Sequence, residues 1–271
     1  MYRIAERQLA FLYTVSAVLT TTSIICLVVV WQYWAWTLDV CISVDCGCIL
    51  YGVNTFSTFM GGDVKLCHFG TYALVPTLVI GLVLGVYHGY RTCIHRKLDE
   101  PRPIPEKIII LVLNSQERDR VVVVGPKRRS ICKQWVLAGF LGVLLCFLSL
   151  SHAVVLTDGY FKTCDQYRRN LIQLLGSQGR EVQVIYNRLS CGAIFDYMDY
   201  LQPDANNWRR GDEINTGLAM QTAITTSWFN FFTWLVIIVI NFIMFQIYYT
   251  FPNSNQNIII YYKTALSSIY A

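Results

Sequence analysis

The chain has 271 residues, 54% of them hydrophobic and only 14% charged, with a formal net charge of +5. A soluble domain carries about 25% charged residues, so this composition excludes an ordinary soluble domain and points to lipid as the surrounding medium. The charges collect in the gaps between four apolar runs at 9–35, 69–92, 135–157 and 222–250.

Each run is long enough to cross about 30 Å of hydrocarbon at about 1.5 Å per residue. Backbone groups in lipid must be satisfied internally, so the runs are expected to be helices. Residues 1–8 are a short lead with Arg3 and Arg7, and the first span, 9–35, closes on Trp31, Tyr33, Trp34 and the following Trp36. Such aromatics form an interfacial belt. The first run exceeds a signal-peptide core and lacks small cleavage-site residues, so it is expected to be retained.

The connection 36–68 alternates over Val40-Cys41-Ile42-Ser43-Val44, and Cys48-Ile49-Leu50-Tyr51-Gly52 is its natural strand partner. Gly61-Gly62-Asp63 reads as a turn. In the second span, 69–92, Pro76 is expected to introduce a kink. Gly81, Gly85 and Gly89 lie four residues apart on one face, a stripe that lets another helix approach closely. That helix is either a neighbour in the same bundle or a partner's, and the three glycines are the helix-docking candidates.

The connection 93–134 carries Arg96, Lys97, Arg102, Lys107, Arg118, Arg120, Lys127, Arg128, Arg129 and Lys133, whereas 36–68 has only Lys65. The positive-inside rule then makes 93–134 and both termini cytosolic and turns 36–68 and 158–221 outward. Within 93–134, Pro101, Pro103 and Pro105 are expected to be extended, and two β-branched runs, 107–113 and 120–124, suggest a hairpin. In 158–221, Gln166 to Leu175 and Glu181 to Tyr186 have helical composition. Phe195, Tyr197, Tyr200 and Trp208 are candidates for a partner-binding face, with a cap over the first outer loop as the alternative. After span four, 222–250, the tail 251–271 is expected to be cytosolic.

Cysteine placement agrees with this topology. Cys41, Cys46, Cys48, Cys67, Cys164 and Cys191 all fall in the two outer connections, while Cys26, Cys93, Cys132 and Cys146 fall in spans or at the cytosolic edge. Six thiols on an oxidising side are expected to form three disulfides: Cys164 with Cys191, and two bonds among the other four. The expected fold is therefore a mainly α membrane protein, a four-helix transmembrane bundle with a small disulfide-stapled extracellular β-rich element.

Chemistry-bearing motifs are sparse. His88 and His152 sit near opposite ends of their spans, and Asn241 is the main polar residue deep in span four. No phosphate loop, metalloprotease helix or nucleophile elbow is present. Cys46 and Cys48 without nearby ligands are a poor zinc pair. No catalytic residue, cofactor or metal site is expected, and no nucleic-acid partner.

The residues Cys48-Ile49-Leu50-Tyr51, Cys67-His68-Phe69, Tyr87-His88-Gly89-Tyr90-Arg91-Thr92, Cys164-Asp165 and Ser190-Cys191, with a Trp-bearing fourth span, resemble the transmembrane protein 179 family. The layout is also similar to the wider four-pass group of claudins and calcium-channel gamma subunits, without their Gly-Leu-Trp element. The longer basic connection and the additional Cys41 and Cys46 are departures from the pattern. The resemblance implies no reaction. It implies a non-enzymatic accessory subunit of a larger membrane complex, an ion channel or receptor, at the plasma membrane. The alternatives are a self-associating adhesion protein, which makes a homo-oligomer, and, less favoured, a small transporter or channel.

Overall fold

The computed structural model describes residues 2–39, 41, 45–55, 59–93, 131–176, 178–196 and 214–250. The expected hairpin within 107–124, the tail 251–271, Tyr197, Tyr200 and Trp208 lie outside the described residues, as do the side chains of Trp36 and Cys132. The described part is mainly helical, with four helices long and apolar enough to cross a membrane. In chain order it runs α1 Tyr2–Leu38, β1 Cys48–Asn54, β2 Phe59–Gly62, α2 Val64–Tyr72, α3 Val75–Cys93, α4 Ile131–Leu175, α5 Arg180–Arg188, α6 Cys191–Asp196 and α7 Thr216–Thr250.

Apolar side chains cover the outward faces of these helices, as lipid requires, and the buried positions follow a repeat. In α7 they include Thr216, Met220, Ala223, Ser227, Asn230, Trp234, Ile237, Asn241 and Met244; in the middle of α1 they include Ser16, Thr20, Ser23, Leu27, Val30 and Trp34, with Ala17 buried beside them. Steps of four and three make a seven-residue repeat, which keeps one seam in contact as two helices wind around each other. α1 is central, packing on both α7 and α3, and α4 packs on the other side of α7.

The second span begins earlier than expected. The Asp63 carboxylate accepts from the Lys65 backbone N–H at 2.9 Å and caps α2, so Val64 to Cys67 is helix and not loop. The break in this span falls at Ala73 and Leu74, just ahead of Pro76. Proline has no N–H to donate back to Tyr72, and it fits the first turn of a new helix, where that N–H would be unpaired anyway.

The glycine stripe faces the protein's own bundle. A Cβ at Gly81 would lie 3.6 Å from the Tyr13 carbonyl, and one at Gly85 would lie 3.4 Å from the Tyr13 Cβ; at Gly89 nothing lies within 4 Å. Gly81 and Gly85 therefore lie where α3 packs on α1.

The sheet is two-stranded and antiparallel, with Cys48 opposite Gly62 and Asn54 opposite Phe59. Among the described residues the partner of Cys48–Gly52 is Phe59–Gly62, and Gly61-Gly62 is strand, not turn; the 40–44 run expected there lies, apart from Cys41, outside the described residues. Both glycines are needed for the approach. A Cβ at Gly61 would lie 2.1 Å from the Cys46 carbonyl oxygen, and one at Gly62 would lie 2.0 Å from that of Leu50. Gln166 to Leu175 is the continuation of the third span. The single helix α4 has 45 residues, about 67 Å at 1.5 Å per residue.

Candidate functional site: the disulfide-bonded cap and the polar seam beneath it

Three disulfides sit at one end of the bundle: Cys41–Cys46, Cys48–Cys67 and Cys164–Cys191. Cys48–Cys67 ties the first residue of β1 to α2, and Cys164–Cys191 ties α4 to α6. Among the described residues Cys26, Cys93 and Cys146 are free.

The cap is fastened along α4 by successive contacts. Gly159 lies beneath β1, where a Cβ would meet the Tyr51 ring at 2.9 Å and the Leu50 Cβ at 3.0 Å. One turn on, Thr163 accepts from the Gly52 N–H at 3.0 Å and donates to the Ile49 carbonyl at 2.9 Å. Higher still, Asn170 donates to the Asn54 side-chain oxygen at 2.8 Å, and Asn54 donates to Gln173 at 2.7 Å. A helix face with glycine, threonine and asparagine at these heights thus completes the open edge of the strand, whose backbone groups would otherwise lack partners.

Tyr51 is the one described non-glycine residue with positive φ, at 59°. It lies where the register of the two strands shifts, which is the position of a bulge. Its ring sits 5.0 Å from the Lys162 ammonium, which also pairs with Asp158 at 3.0 Å. Burial, then the hydrogen bond and charge of the Asp158 carboxylate, push the Tyr51 phenol up to about 12.

Phe195 is fully buried and stacks on Tyr160 at 4.8 Å. It lies in the core between α4 and the start of α7. Its carbonyl accepts from the Thr216 hydroxyl at 2.6 Å, and that oxygen in turn accepts from the Trp34 indole at 3.2 Å. Asp196 and Asn215 cap the start of α7 by accepting from Gly217 and Leu218 N–H at 2.6 and 2.8 Å.

Beneath the cap a polar seam runs down the bundle. The His152 ring lies 2.8 Å from the Gly70 carbonyl through Nε2 and 2.7 Å from the Ser227 hydroxyl through Nδ1. A carbonyl only accepts, so Nε2 carries the proton and Nδ1 accepts from Ser227. One imidazole therefore joins α4, α2 and α7. About one turn below His152 along this seam, Ser16 donates to Asn230 at 2.7 Å and Asn230 donates to Ser149 at 3.1 Å, linking α1, α7 and α4. Interhelical hydrogen bonds of this kind contribute about 0.6 kcal/mol each on average, so their main effect is to fix which faces meet.

His88 is buried at the far end, stacked on Tyr13 at 5.7 Å, and Arg91 pairs with Glu6 at 3.3 Å. His88 and His152 do not meet. Asn241 is buried and donates to its own helix at the Ile237 carbonyl, 2.8 Å away. The residue that joins three helices is Asn230 instead. Its signal was present in the sequence: Thr216, Ser227, Asn230 and Asn241 fall on the seven-residue repeat of an otherwise apolar run. A search for ionisable groups passes over it. Among the described residues no group of three or more His, Cys, Asp or Glu side chains stands together as a metal site.

The buried polar groups are thus mostly engaged in joining helices, and the cap is joined to the bundle by covalent bonds and by a helix that does not stop at the membrane. No family model matches the chain, and neither a curated protein nor a solved structure does.

Proposed function

We propose that this chain is a non-enzymatic four-pass accessory subunit that binds and modulates a larger membrane complex, an ion channel or receptor, at the plasma membrane. In this reading the disulfide-bonded cap stands outside the cell and the termini lie in the cytosol. The nine basic residues between α3 and α4 support that orientation, and so does the pairing of six cysteines at the opposite end, since disulfides persist on an oxidising side.

The observation that carries the reading is α4. Tyr160 is level with the start of α7, where Gln221 donates to its hydroxyl at 3.3 Å. From there α4 continues fifteen residues to Leu175, about 22 Å. Sheet and disulfide are fastened to α4, which runs unbroken from the cap into the bundle, so a contact made by the cap has a continuous helix leading to the spans. That suits a subunit acting by rigid attachment to another membrane protein. The sequence resemblance to four-pass accessory and adhesion proteins points the same way.

The test is affinity purification in a mild detergent with native sizing and mass spectrometry. One dominant channel or receptor in near-stoichiometric amount is the expected result. A ladder of this chain alone would replace the reading with self-association, and a lone monomer would remove its basis.

A further inference from the structure

The hairpin formed by the end of α4 and α5 leaves apolar side chains uncovered at the part of the molecule farthest from the spans. Leu174 is 55% exposed, Leu175 62% and Val184 57%. Exposed leucines along the spans are explained by lipid. Leu174 and Leu175 are not, because they lie about 21–22 Å beyond Tyr160 along α4, and Val184 is on α5, which follows them. α5 is amphipathic, yet no residue in it is buried. Its only described fastenings are the Arg168 guanidinium, which donates to the Leu189 carbonyl and sits 5.7 Å from the Tyr186 ring, and the nearby Cys164–Cys191 bond. An apolar cluster in water, on an element held at one end, marks a contact surface.

Charge indicates what covers it. Residues 166–190 hold four arginines, Arg168, Arg169, Arg180 and Arg188, against the single acid Glu181. Arg169 is neutralised by Asp165 at 2.9 Å. Arg180 and Arg188, at the two ends of α5, form no ion pair among the described residues. Two copies of this surface would set like charges against each other, which is unfavourable at an interface. We propose that Leu174, Leu175 and Val184 dock into an apolar groove rimmed by carboxylates on the ectodomain of the larger partner, with Arg180 and Arg188 meeting that rim. This rests on the accessory-subunit reading and names its contact surface.

The test is a benzophenone amino acid at position 175 of the full chain, photolysed in intact cells, with position 83 on the exposed face of α3 as the control. A discrete adduct with one heavier protein, mapped to an acid-rich ectodomain peptide, is expected at 175 and not at 83. The double variant Arg180→Glu, Arg188→Glu should lower its yield about tenfold or more, with the Cys164–Cys191 bond intact on peptide mapping. Adducts only within this chain, only between two copies, or no more abundant than at 83 would overturn the proposal. So would an adduct indifferent to the charge reversal. If a partner copurifies while position 175 gives no adduct with it, the surface is wrong and the accessory reading stands; if none copurifies, both fall.

Discussion

Gly62→Ala is expected to prevent the cap from forming. The added methyl would lie 2.0 Å from the Leu50 carbonyl oxygen and 2.9 Å from that of Tyr51, both backbone atoms on the facing strand. No side-chain rotation relieves that, so the strands must separate. They meet at the Cys48–Gly62 pair, beside the bulge at Tyr51. Overpacking a well-filled site costs about 1–3 kcal/mol and occasionally more, and a backbone clash this close belongs at the upper end. Loss of the native Cys48–Cys67 pairing on non-reducing peptide mapping, together with low abundance, is the predicted outcome. Gly89→Ala supplies the control, since its methyl meets nothing within 4 Å. Normal pairing in Gly62→Ala would show that the strands do not approach as described.

Cys67→Ser should be the most damaging of the single cysteine changes in the first loop. Cys48 and Cys67 are both fully buried, and their bond closes a 19-residue separation while holding β1 against α2. Constraint of the unfolded chain alone gives such a bond about 3 kcal/mol, against about 2 kcal/mol for a five-residue closure. Cys41–Cys46 has that shorter separation of 5 and joins residues next to each other at the end of α1. Thermal unfolding of the purified protein in detergent is therefore expected to rank Cys67→Ser well below Cys41→Ser, with the unaltered chain highest. Equal losses, or the reverse order, would mean that β1 is held mainly by α4 and not by its disulfide.

The parts of the fold that depend on lipid were readable from the sequence. Four apolar runs gave four spans, and six cysteines segregated to one end of them. The parts that depend on close approach were not. Gly61-Gly62 looks like a turn because glycine is usually there for its backbone freedom; here it is there because backbone oxygens of Cys46 and Leu50 leave no room for a side chain. Hydropathy placed the end of the third span at 157, where Asp158 begins a polar stretch. It reports where lipid contact ends, not where a helix ends, so α4 appeared to be two elements. Phe195 resembled a surface aromatic because its neighbours in sequence are charged, and only its stacking on Tyr160 reveals which side of α6 is buried. The Ser16–Asn230–Ser149 link was legible in principle from spacing, since Thr216, Ser227, Asn230 and Asn241 all fall on the four-and-three repeat of buried positions in α7.

A cap standing outside the membrane on α4 is the feature on which the proposed function most depends. Gln178→Cys places a thiol between α4 and α5 at the tip, in an exposed position, while Cys93 supplies an exposed thiol at the opposite end of the bundle. A membrane-impermeant maleimide applied to intact cells should modify the introduced thiol and reach Cys93 only after permeabilisation. Modification of Cys93 in intact cells, with the thiol at position 178 protected until the membrane is opened, would contradict it.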